Sequence, residues 1–341
     1  MNIRKIVILS LACLISSETT FACSRFTYTS AENTVVTGRS FDWMEDAKTD
    51  IWAFPAGLSK VGGNAENSVK WKSKYGSVVA SAYNMAVVDG INTKGLNANL
   101  LYLATSDYGQ KNPDHINISI YNWVPFVLDN YASVDEVVKG LTQQQFNMLA
   151  PPLPNGMIPP VHLAVTDPSG DNAVFEYIDG KLVTHHGKQY KVMTNEPTYD
   201  KQLALNDYWT RLKGEFLPGT GEPDDRFVRA TFYVSVAPPS TSIENSVAIV
   251  FSIIRNLSVP IIAKTPDRPN VAPTIWRSVS DLKNKLYFFE SANRPNVFWV
   301  DLNKLNLGEG ASVKKLPLSN NEVYAGDTSA RFVDSQPFVS P

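Results

Sequence analysis

From residue 23 the chain alternates apolar and polar positions with the two-residue period of a strand, Phe26 and Tyr28 against Arg25 and Thr27. The alternation breaks at residues 30–33 and resumes over 34–42, which predicts a hairpin beginning at Cys23. Residues 77–82 and 95–103 carry further strand-like runs, separated by 87–92. Over 117–146 the pattern turns helical, and Ser133 with Glu136 three residues on reads as a capping box ahead of Val137 and Val138. Strand alternation returns at 161–166, turns on Asp167-Pro168-Ser169-Gly170, comes back over 173–178, turns on Asp179-Gly180 and continues from Lys181. Residues 190–194 predict a strand leading to Asn195, a helical stretch follows Asp225, and 285–290 with 297–301 predict a closing strand pair. The Pro/Gly-rich segments 151–160 and 217–223 read as loops, and no repeat or low-complexity linker marks a boundary. Two antiparallel strand blocks with helical segments between them put the chain in the α+β class, two stacked sheets covered by helices.

The first 22 residues follow a different pattern. Arg4 and Lys5 precede an apolar run over 6–16, and Thr20-Phe21-Ala22 ends it with the small residues of a cleavage site, which reads as an export signal. The run is too short to span a bilayer, and no later stretch reaches about 18 consecutive apolar residues. The expectation is a leader over 1–22 and a single domain over 23–341, exported to the periplasm or beyond with no stable membrane insertion. The chain's formal charge of −2, less +1 for the leader with Arg4, Lys5 and Glu18, leaves −3. So mild a balance gives no electrostatic reason to expect nucleic acid as a partner.

Cysteine usage changes the picture most. The chain has two, and Cys13 lies inside the leader, so the processed protein keeps one, Cys23, as its first residue. Three readings are open: a bystander thiol, a lipid-modified anchor, and a nucleophile. The anchor motif wants Leu three residues before the cysteine, where this chain has Thr20. The nucleophile reading has a physical logic: a thiol attacks as thiolate, and a free α-amine, with a pKa of about 7.7–8.0, is a suitable base at neutral pH. A processed Cys23 carries both groups. The four histidines, His115, His162, His185 and His186, show no spacing that suggests a Cys–His pair or a metal site.

The motifs in order are Cys23-Ser24-Arg25-Phe26, Gly38-Arg39-Ser40-Phe41-Asp42-Trp43, Asn92-Thr93-Lys94-Gly95-Leu96, Met193-Thr194-Asn195-Glu196-Pro197-Thr198, Asp225-Arg226-Phe227-Val228-Arg229, and Thr274-Ile275-Trp276-Arg277 with Asp281-Leu282. As an ordered set starting at an N-terminal cysteine they resemble the choloylglycine hydrolase family of bile salt hydrolases and penicillin V acylases, within the N-terminal-nucleophile hydrolases. The resemblance implies an αββα sandwich, amide hydrolysis without a cofactor and, commonly in that family, a homotetramer. It implies Cys23 as nucleophile, Arg39 and Asp42 holding thiol and α-amine, Asn195 as the oxyanion-hole amide and Arg226 as a further active-site arginine, with Arg229 three residues on as the rival register. Tyr102 falls where bile salt hydrolases typically carry Asn and some penicillin acylases Tyr, and its backbone N–H would be the second oxyanion donor.

The roles agree with the chemistry. A carboxylate at Asp42 would orient the amine, Arg39 near the sulfur would favour thiolate, and one oxyanion donor is typically worth ~3 kcal/mol of barrier. The plain readings are a strand-end ion pair for Arg39 and Asp42, a turn for Asn195 and a helix-surface charge for Arg226. Among the aromatics Trp43, Trp52, Trp71, Tyr83 and Tyr102, an apolar acyl pocket is expected to use Trp43 and Tyr102. The expected reaction is hydrolysis of a small-molecule amide with an apolar acyl group: penicillin V or an N-acyl homoserine lactone ahead of a conjugated bile salt. A lipid-anchored binding protein without chemistry is the rival class.

Overall fold

The computed structural model describes residues 23–263, 272–294, 296–320 and 322–341. The expected leader, and with it the expectation that residues 1–22 cap Cys23 near the site, lie outside the described residues.

Two large sheets dominate. The first runs, in spatial order, Val192–Met193 (β14), Ser24–Thr29 (β1), Val35–Asp42 (β2), Thr274–Asp281 (β15), Leu286–Ser291 (β16), Val297–Asp301 (β17) and Gly326–Asp327 (β19). The second runs Lys181–His186 (β13), Asn172–Ile178 (β12), Val161–Thr166 (β11), Asn97–Tyr102 (β8), Ala86–Asn92 (β7), Ser77–Ala82 (β6), Ile51–Phe54 (β3), Lys314–Leu316 (β18) and Val333–Asp334 (β20). Ser59–Val61 (β4) with Lys70–Lys72 (β5), and Ile116–Ser119 (β9) with Phe146–Leu149 (β10), form two small pairs outside them.

Helices cover the outer faces. Pro223–Val236 (α4) and Ile243–Leu257 (α5) pack on β1, β2, β14 and β15, with Tyr199–Thr210 (α3) against α4. Trp123–Asn130 (α1) and Val134–Gln143 (α2) pack on the other sheet. The order helix, sheet, sheet, helix is the αββα sandwich expected.

The alternation of β1 and β2 explains the layering. Phe26, Val36 and Gly38 face α5, where a Cβ on Gly38 would stand 2.6 Å from Cγ1 of Val250 and 3.1 Å from the Phe26 ring; the close approach of α5 requires glycine there. Arg25, Thr27, Thr37 and Arg39 face the second sheet, and what they meet is polar. Arg25 donates to Asn99 Oδ1 (3.2 Å), Asn172 Oδ1 and Thr166 Oγ1; Thr37 donates to Asn97 Oδ1 (3.1 Å). Asp89 on β7 accepts from Asn99 (2.6 Å), Tyr287 (2.8 Å) and Ser278. Part of the space between the sheets is therefore knit by hydrogen bonds, beside a stack of Phe41, Trp276, Phe289 and Phe298, while apolar side chains fill the space between each sheet and its helices.

Three sequence expectations need correction. Residues 117–146 are not helical throughout: α1 ends at Asn130 because Tyr131 is extended (φ −122°, ψ 148°), and strands β9 and β10 flank the helix pair. Ser133 does accept from Glu136 N (3.3 Å), but the Glu136 carboxylate reaches back to Ala132 N rather than Ser133 N. The segment 87–92, read as a separator, is the core of β7.

Candidate active site

Cys23 stands directly before β1 and is buried, with a free thiol. Its Sγ donates to the Asp42 carbonyl at 3.9 Å. The hairpin produces this closeness, because the β1–β2 register sets Ser24 opposite Ser40 and Arg25 opposite Arg39 and so returns Asp42 to the start of the chain.

Burial pushes the Cys23 thiol up, as does the Asp42 carboxylate, while Arg39 and Arg226 pull it down. Burial prevails, so Arg39 does not by itself make the expected thiolate, and the resting group is a thiol that needs a base. Asp42 is fully buried as well. Burial pushes its carboxyl up to about 6, against Arg226, the hydroxyls of Thr274 and Ser40, and Arg39. Thr274 Oγ1 donates to its Oδ1 at 2.6 Å and Ser40 Oγ to its Oδ2 at 3.4 Å.

Arg39 donates through Nη2 to the Leu100 carbonyl at 2.9 Å, and its guanidinium lies 4.7 Å from the Trp276 ring centre and 5.1 Å from that of Phe41. Its Nε and Nη1 are buried and donate to no group among the described residues. A desolvated cation with two donors to spare, lining the same pocket as Cys23, is equipped to meet an anion or a carbonyl.

Of the two candidate arginines, Arg226 on α4 is the one that reaches Cys23. Its Nη1 donates to the Cys23 carbonyl and Ser24 Oγ, both at 2.6 Å, and its Nη2 to Asn195 Oδ1 at 2.9 Å. Arg229 instead donates to the carbonyls of Pro218 and Thr220, both at 2.8 Å, and ties the preceding loop to the helix.

The Asn195 carboxamide is clamped at both ends, Oδ1 by Arg226 and Nδ2 by the Tyr102 carbonyl at 2.6 Å. An amide nitrogen has two hydrogens, and the bond to Tyr102 uses one of them. Sequence reasoning missed Ser24, Ser40 and Thr274, although each stands in one of the recognised motifs; what it lacked was their contact across strands.

Beside the thiol lies an apolar pocket of about 50 Å³ lined by Cys23, Arg39, Trp43, Tyr83, Leu101, Tyr102 and others. Trp43 and Tyr102 are thus where they were expected. Trp52 and Trp71, which were not chosen, do not line it: Trp52 packs on Phe54 and Phe338, and Trp71 donates to Asp129 at 2.7 Å. Trp43 Nε1 donates to Tyr83 OH at 2.7 Å, Tyr83 OH to Glu45, and Asn155 also to Glu45, so the 151–160 loop is tied to the pocket's rim. A larger cavity of about 300 Å³ behind Trp276 does not contain Cys23.

The description "linear amide C–N hydrolases, choloylglycine hydrolase family" matches residues 23–316. The chain belongs to this family. As a member of the choloylglycine hydrolases it is a linear amide C–N hydrolase, and the matched region opens at Cys23. A penicillin V acylase from Pectobacterium atrosepticum is 45% identical over 357 residues, covering 97% of this chain and 95% of that one. The solved penicillin V acylase from Agrobacterium tumefaciens superposes with a TM-score of 0.87 at 47% identity, over 94% of this chain and 99% of that one. A bile salt hydrolase/transferase from Clostridium perfringens is 26% identical over 256 residues, 66% of this chain and 75% of that one. A conjugated bile acid hydrolase structure from the same organism shares the fold, with a TM-score of 0.74 at 21% identity and cover of 89% and 98%.

Proposed function

We propose that residues 23–341 act, after export removes residues 1–22, as a single-domain cysteine amidase for small amides with an apolar acyl group, penicillin V first and N-acyl homoserine lactones second. The observation that carries this reading is a buried thiol at the head of β1, lining an apolar pocket and joined through Arg226 to a clamped carboxamide. The pocket's lining, with Trp43, Leu101 and Tyr102 beside the thiol, suits an apolar acyl group. The stronger likeness to penicillin V acylases points the same way.

The Cys23 α-amine takes the Sγ proton as sulfur attacks the amide carbon. Asn195 Nδ2–H and Tyr102 N–H hold the oxyanion, and the α-ammonium protonates the departing amine. The thioester remains. Water then gives its proton to the same amine and attacks the thioester, releasing the acid and the thiol. Asp42 orients the amine, and Arg226 holds the Cys23 carbonyl and the Asn195 carboxamide in register.

The test compares two purified proteins, one with a free Cys23 N-terminus and one keeping Phe21 and Ala22. In the second the Cys23 nitrogen is an amide that cannot accept a proton. Amine release from a panel of penicillin V, acyl homoserine lactones and glycine-conjugated bile salts should come only from the first, and Cys23→Ser should abolish it. Equal turnover by the two, with intact masses confirmed, would refute the mechanism.

A further inference from the structure

His162 and Glu176 lie outside every role assigned so far, yet both are buried to 1% side-chain exposure and bonded to each other, His162 Nδ1 to Glu176 Oε1 at 3.1 Å. The other ring nitrogen, Nε2, lies 2.9 Å from the Thr194 carbonyl. A carbonyl oxygen only accepts, so Nε2 carries a hydrogen and donates, wherever the proton between Nδ1 and Glu176 resides. That carbonyl belongs to the peptide joining Thr194 to Asn195. His162 comes from β11 of the nine-stranded sheet, whereas Thr194 follows β14 of the seven-stranded sheet. The bond therefore crosses the sandwich and ends one peptide from the oxyanion-hole candidate.

A second contact fixes the other side. Gln202 Nε2 donates to the Asn195 carbonyl at 2.7 Å, and Thr194 Oγ1 donates to Gln202 Oε1 at 2.9 Å. Gln202 is on α3, whose first residue, Tyr199, donates its N–H to both Glu176 oxygens at 3.2 and 3.0 Å. The Glu176–His162 pair thus holds the Asn195 backbone twice, directly through Thr194 and indirectly by seating the helix that carries Gln202.

We propose that His162, oriented by Glu176, is a positioning residue for the amide hydrolysis: it fixes the Thr194–Asn195 peptide so that Asn195 Nδ2 meets the developing oxyanion. The inference rests on the reading of Asn195 as an oxyanion donor. Oxyanion stabilisation depends on geometry at the scale of tenths of an ångström, and a misplacement of about 1 Å can cost ~10²-fold in rate.

Two variants separate the contacts. The amide nitrogen of Gln in His162→Gln stands near the imidazole Nε2 and keeps the bond to Thr194. That of Asn in His162→Asn stands near Nδ1 and keeps only the partnership with Glu176. Both retain a polar side chain in the buried site. Protein is purified from cells expressing the full chain, penicillin V turnover is measured, and alkylation of Cys23 by iodoacetamide is followed by mass. Alkylation needs the thiol but no oxyanion hole. The expected result is kcat lowered ~10–100-fold in His162→Asn with KM within about threefold, kcat within about fivefold in His162→Gln, and unchanged alkylation in both. Equal kcat in the two variants, alkylation falling in step with turnover, or failure of both to fold would overturn the proposal and assign the pair to stability alone. Failure of the underlying reading looks different: unaltered protein would release no amine, or Asn195→Ala would leave kcat intact.

Discussion

Asp42 is a charge that the fold holds at its own expense, and Asp42→Asn should show how much. The side chain is fully buried and its carboxyl is raised from 3.8 to about 6. Each pH unit of displacement corresponds to about 1.4 kcal/mol, so the ionised form costs about 3 kcal/mol of stability, to order of magnitude. Because the folded state binds this proton more tightly than the unfolded state, the stability present below pH ~4 is lost as pH rises through about 6. Asn has the same shape, and its Oδ1 can still accept from Thr274. In a chain keeping Phe21 and Ala22, Asp42→Asn should be about 3 kcal/mol more stable than the parent at pH 7 and no more stable at pH 4. Freeing the Cys23 amine puts a cation beside Asp42, so the gain should shrink in the processed chain. Urea unfolding of both proteins at pH 4, 5, 6 and 7, followed by tryptophan fluorescence, measures the difference directly. A variant less stable than its parent at pH 7, or a difference that does not change with pH, would refute the reasoning.

Asn195→Ala should lower kcat by ~10²-fold or more with a smaller change in KM, read from steady-state amine release, since in the proposed mechanism the carboxamide acts chiefly on the transition state. Arg226→Lys should lower kcat by at least ~10-fold, because a single ammonium cannot span the Cys23 carbonyl, Ser24 and Asn195 together. Arg229→Gln, at a side chain that hydrogen-bonds the loop carbonyls of Pro218 and Thr220, should leave kcat within about twofold, and the pair compared in one assay tests the arginine register.

Much of the site was legible because its signals are local. The alternation after Cys23 gives the hairpin, and the hairpin alone brings Arg39 and Asp42 back to the thiol. The meander over β11 to β13 was legible for a similar reason: Asp179 and Gly180 at positive φ close a two-residue turn, as the sequence suggests. β15 was missed as a strand. In Thr-Ile-Trp-Arg-Ser-Val-Ser-Asp the polar residues look solvent-facing, yet Ser278 donates to Asp89 across the sandwich and Thr274 to Asp42. α3 left little trace, since only Tyr199 and Gln202 of its twelve residues are buried. α5 was readable, with Ser242 accepting from Asn245 N ahead of an apolar stripe, and was overlooked. His162, Glu176 and Gln202 could not be joined from sequence, because the contacts linking them to Thr194 and Asn195 depend on how two sheets and a helix meet.

The hydrogen-bonded seam between the sheets governs how this chain can be altered. An apolar core tolerates exchange of one hydrocarbon for another of like volume, since no partner is left wanting. Arg25, Asn99, Asp89, Ser278 and Tyr287 have no such freedom: each supplies what its neighbour lacks, and one apolar replacement strands a buried donor or acceptor. Changes along the seam must therefore come as matched sets. The helix-facing sides of the same strands can be repacked one residue at a time. A redesign of the acyl pocket meets this limit at Arg39, which faces between the sheets, and is freer in the 151–160 loop, whose Leu153 and Pro159 line the pocket.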